Sequence, residues 1–105
     1  MSSKLCQDIV LNFFVKIIKQ DIETLNRINL LNTELYFDTE TNYLVFSLPA
    51  LHQFLNDQLQ LSYLEFRKII YQSSINTDLS QSAAKIEVHQ SSYKVNTSLY
   101  VLSRA

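Results

Sequence analysis

The 105 residues carry nine Lys and Arg against ten Asp and Glu, a net charge of −1, and include no glycine, one proline and one cysteine. Without glycine the chain cannot build the phosphate-cradling loops of P-loop, dinucleotide-binding or kinase folds, nor a G-x-S-x-G nucleophile elbow, because these need backbone conformations or close approaches that a Cβ obstructs. A hydrophobic fraction of 47% with 18% charged residues argues against disorder, and the lone Cys6 excludes an intrachain disulfide or a cysteine-rich zinc site, so one globular domain over 1–105 in a reducing, cytoplasmic setting is expected.

From Lys4 to Lys19 the apolar residues come in pairs, Leu5 and Cys6, Ile9 and Val10, Phe13 and Phe14, Ile17 and Ile18. This four-residue beat predicts an amphipathic helix with one broad apolar stripe. Asp21 is placed to cap a shorter second helix carrying Ile22, Leu25 and Ile28, which should end by Leu30 to Asn32. The aromatic and branched runs Leu35-Tyr36-Phe37 and Tyr43-Leu44-Val45-Phe46 then predict a β-hairpin. In the polar turn between them, Asp38 or Asn42 should take the left-handed conformation in glycine's place.

Ser47-Leu48-Pro49 starts a third helix, since serine can accept an orphan N–H and proline suits the first turn; that helix should run to about Asn56. Ser62-Tyr63-Leu64-Glu65 is a capping box that opens a fourth helix, expected to bury Leu64, Phe66, Ile69 and Ile70 and to end near Ser73-Ser74. A short helical turn is expected around Asp78-Leu79-Ser80. Ile86-Glu87-Val88 and Leu99-Tyr100-Val101-Leu102 should then form a C-terminal β-hairpin around a polar arm.

The fold class is therefore α+β: N-terminal helices, a β-hairpin, a helix-turn-helix pair and a closing hairpin. The last six elements follow the order of a winged helix, in which the helix pair is preceded by a strand and followed by a hairpin wing. No run of apolar residues approaches the length of a membrane span, and the N-terminus lacks the features of a signal peptide.

Two binding expectations follow. The wide stripe of the first helix, chiefly Phe13, Phe14 and Ile17, is a candidate face for a protein partner or for a second copy in a homodimer, and a small non-catalytic interaction module is the first expectation. The same helix can be read as a membrane-surface anchor with Lys16 and Lys19 at headgroups, but burial of the stripe within a protein explains it without a membrane. The alternative is a winged-helix DNA-binding regulator acting as a dimer through Tyr63, Arg67, Lys68 and Gln72 on the fourth helix, with Tyr71 also outward, and through Lys94 in the arm. Against it, a duplex site neutralising about six to ten phosphates needs a similar number of cations on one face.

Catalytic chemistry is not expected. His52 and His89 are the only histidines; His52 has no His or acid at the i+4 spacing of a metal pair, and His89 is expected where a strand meets a polar loop. Asp38 and Glu40 lie in a turn expected to be wet, where nothing would raise a carboxyl pKa toward acid catalysis, and Cys6 falls in an apolar stripe. A hydrolase or transferase would need a cleft bringing a histidine to carboxylates. Neither a metal nor a cofactor is implied.

Overall fold

The computed structural model describes residues 3–31, 33–90 and 98–104. Five helices and a four-stranded antiparallel sheet make up a mixed α+β fold, in the order α1 (Ser3–Ile18), α2 (Ile22–Asn29), β1 (Leu35–Phe37), β2 (Leu44–Phe46), α3 (Leu48–Leu59), α4 (Tyr63–Tyr71), α5 (Ile75–Ser80), β3 (Ala84–Gln90) and β4 (Leu99–Arg104).

Local chemistry starts three of the helices where the sequence places them. The Asp21 carboxylate accepts from the N–H and the hydroxyl of Thr24, at 3.2 and 2.6 Å, and so caps α2. Ser47 Oγ accepts from Ala50 N–H to cap α3, with Pro49 in its first turn, and Ser62 Oγ accepts from Glu65 N–H to cap α4. At the hairpin, Asp38 Oδ1 accepts from Glu40 N–H at 2.7 Å and from Thr41 N–H at 3.2 Å, and Asn42 takes the left-handed conformation at φ 61°. Both bonds hold the Asp38 carboxyl below its usual value.

The sheet order is β1-β2-β4-β3, with every neighbouring pair antiparallel. Thus β2, which immediately precedes α3, lies beside the last strand, pairing Phe46 with Tyr100 and Leu44 with Leu102. Strand β3 is longer than the three residues expected, and its register against β4 shifts between Val88 and Gln90. Its outer edge is engaged at Ile86 by a helix residue. Asn76 of α5 accepts from Ile86 N–H at 2.7 Å and donates to Ile86 C=O at 3.3 Å, as a neighbouring strand would.

Helix α1 is the centre of the helical layer and touches α2, α3, α4 and α5. Its stripe is correspondingly wide: Cys6, Val10, Phe13, Phe14 and Ile17 all join one core with Phe46, Leu51, Leu55, Phe66 and Leu102. Rings link the layers, Phe13 to Phe54 at 5.3 Å and Phe14 to Phe46 at 5.4 Å between centroids. Arg27 lies over the Phe54 ring at 4.8 Å and so ties α2 to α3. Arg104 Nη2 donates to Ile17 C=O at 3.2 Å, joining the end of β4 to the last turn of α1, where the same carbonyl also accepts from Gln20 N–H.

Candidate functional site

The partner face expected on α1 is interior. Phe13, Phe14 and Ile17 are 5%, 1% and 2% exposed, because α1 packs against four other helices and Phe46 of the sheet meets the same stripe. Leu64 departs from expectation in the opposite sense. It stands on the outer side of α4, 63% exposed, while Phe66 alone of that helix is fully interior.

Leu64 and Tyr71 are seven positions apart and share one face of α4, with Lys68 between them. The Tyr71 hydroxyl lies 3.1 Å from that of Tyr100 on β4, and Tyr100 is paired across the strands with Val88 of β3. Leu64, Tyr71 and Val88, at 63%, 56% and 60% exposure, thus mark a stripe running from the outer side of α4 to the edge strand.

Below this stripe a cleft of about 340 Å³ opens between α1, the α4–α5 corner and the sheet. Its floor is apolar, built from Val10, Phe14, Phe46, Leu48 and Leu51, and Ile70, Ile75 and Ile86 form its sides. Phe46 and Tyr100 are stacked there, with centroids 6.0 Å apart and planes at 28°. The two tyrosine hydroxyls lie on its rim, and Ser73, Ser74, Asn76 and Thr77 add polar groups at the α4–α5 corner. Burial, and the hydrogen bond shared with Tyr71, push the Tyr100 phenol up to about 12, so it remains protonated at neutral pH.

The residues nominated for DNA divide. Lys68 and Gln72 are exposed on α4, whereas Tyr63 and Arg67 are half-buried, with the Arg67 guanidinium 5.8 Å from the Tyr63 ring centroid. Lys94 lies outside the described residues. Glu65 stands exposed on the same helix, so the described cations of α4 do not form an uninterrupted positive face.

The remaining candidates have local roles. His52 Nε2 donates to Leu61 C=O at 2.6 Å and its ring meets Tyr63 and Phe66, which fastens the α3–α4 corner. His89 is exposed within β3. Cys6 is buried, and burial pushes its thiol up, away from the reactive thiolate. Among the described residues no three His, Cys, Asp or Glu side chains gather in a way that could hold a metal, and no helix is long and apolar enough to cross a membrane.

The cleft is the feature that the sequence reading missed. Val10, Phe46, Ile75, Ile86 and Tyr100 come from five different elements, and no spacing rule connects them. Comparison with protein-family models, with curated proteins and with solved structures finds no match.

Proposed function

We propose that this domain is a small non-catalytic protein-interaction module that associates with a second copy through the outer face of α4 and the adjoining edge of β3. The observation that carries this reading is the exposed stripe of Leu64, Tyr71 and Val88, three of the eight large apolar side chains exposed among the described residues, brought together where α4 meets the closing hairpin. Glu65 and Lys68 flank Leu64 on that face, so a two-fold axis can set one copy's Glu65 against the other's Lys68. Isologous pairing of this kind suits a nearly neutral chain.

The test is the solution mass by light scattering. A dimer that persists in high salt is expected for the native chain, and Leu64→Asp should give a folded monomer, since that side chain is outside the core. A native monomer at high concentration, or a Leu64→Asp dimer, would defeat the reading.

A second reading, a winged-helix regulator bound to DNA as a dimer, is favoured by the topology: α3 and α4 are joined by three residues, and the strand before them shares a sheet with the closing hairpin. The same scattering run with random duplex DNA separates the two. A salt-sensitive complex weakened by Arg67→Ala would put the regulator first.

A further inference from the structure

We propose that the cleft between α1, the α4–α5 corner and the sheet is a binding site for an uncharged two-ring aromatic molecule carrying one hydroxyl or carbonyl group. This goes beyond the association described above and does not depend on it.

Size fixes the first part. An apolar cavity of about 150 Å³ accommodates benzene, and the cleft offers about 340 Å³, roughly twice that room. Shape fixes the second. Phe46 and Tyr100 present near-parallel rings along one side, and Phe14 meets Phe46 at a tilt, so a flat guest finds both a stacking face and an edge contact.

The polar group is set by the tyrosine pair. With the two hydroxyls 3.1 Å apart, one donates to the other, which leaves one O–H free to donate and lone pairs free to accept. A hydroxyl or carbonyl on the guest satisfies that geometry. Charge argues against the alternatives: among the described residues no Lys, Arg or His lines the cleft, and the carboxylate there, that of Glu87, is directed to Lys85 and Ser103. An anionic guest would lose its hydration with no counter-charge, and a cationic one would have no free carboxylate to meet.

The probes are 2-naphthol and naphthalene-2-sulfonate, of the same ring size but different charge, titrated into the whole chain with methyl NMR shifts as the readout. 2-Naphthol should shift the Leu51, Ile70 and Ile75 methyls saturably, with the sulfonate weaker by at least about tenfold. Tyr100→Phe, which keeps the stacked ring and removes the hydroxyl, should weaken 2-naphthol by about fivefold. Ile75→Trp should fill the cleft and abolish binding; should that variant fail to fold, the sulfonate comparison and Tyr100→Phe still decide. Absence of a saturable shift, equal binding of the two probes, or shifts confined to Leu64 on the outer side of α4, which does not line the cleft, would each overturn the site. Solution mass, measured separately, reports on the association of copies and leaves these outcomes distinguishable.

Discussion

Gln20, Asn42, Gln60 and Ala83 hold left-handed backbone, at φ 58°, 61°, 50° and 55°. Each bears a Cβ, which costs roughly 1–2 kcal/mol there, least for asparagine. Glycine would remove that cost but would bring back about 0.4–1 kcal/mol through greater freedom in the unfolded chain. Gln60→Gly and Ala83→Gly should therefore each stabilise the fold by roughly 0.5–1 kcal/mol, read as a higher urea midpoint at unchanged slope; a lowered midpoint would mean that side-chain contacts at these corners outweigh the strain.

Titratable residues act at the same scale. Thr24 holds the Asp21 carboxyl below its ordinary value, and the N–H groups of Glu40 and Thr41 do the same for Asp38. Groups with depressed pKa stabilise the fold above their unfolded value, near 4, and lose that contribution as pH falls through the folded value. Tyr100 is the opposite case. Its pKa is raised to about 12, so the contribution is complete below the usual tyrosine value near 10 and disappears as pH climbs toward the folded value. The melting temperature should thus be level near neutrality and fall below about pH 4 and above about pH 10, with Tyr100→Phe flattening the alkaline arm; an unchanged alkaline arm would remove Tyr100 from the account.

At the scale of elements, the core of α1 decides whether the domain stands. Phe14 is 1% exposed and meets Phe13 and Phe46, so Phe14→Ala should cost about 3–5 kcal/mol by urea denaturation. That is a large share of the ~5–15 kcal/mol of an ordinary domain. Phe14→Asp should not fold at all, as circular dichroism would show, and a folded Phe14→Asp would return α1 to the list of surfaces.

Much of this architecture was legible in the chain. The four-residue beat of α1 and the caps at Asp21, Ser47 and Ser62 announced helices in their observed order, and the aromatic runs announced the hairpins. Strand β3 was read short because His89 and Gln90 carry no apolar alternation, and α5 was read as one turn because its six residues show no stripe. The faces were less legible than the elements. Periodicity identifies which side of a helix is apolar, but not what covers it, so the stripe of Phe13, Phe14 and Ile17 read as a surface when four neighbouring helices close over it. Leu64 is the converse, a leucine inside a capping box that tertiary packing leaves outside. The cleft needed three dimensions, since Val10 and Tyr100 stand at opposite ends of the sequence.

The whole molecule gathers its cleft and the stripe beside it on one side, and carries two further exposed apolar side chains, Ile22 and Leu30, at the ends of α2. The outer stripe, the tyrosine pair and the cleft all lie where α4, α5 and the closing hairpin converge, while α2 and the first hairpin flank the far side of the layer. Association through the stripe and occupation of the cleft would therefore involve neighbouring surfaces, with Tyr71 belonging to both. Strand β3 is the edge nearest to that side, and a bare edge invites further strands. The Asn76 amide takes the place that such a strand would use at Ile86. At Ile86 the edge is thus covered by a helix residue rather than by another strand, so that loosening of α5, six residues long, would bare this part of β3 to strand addition.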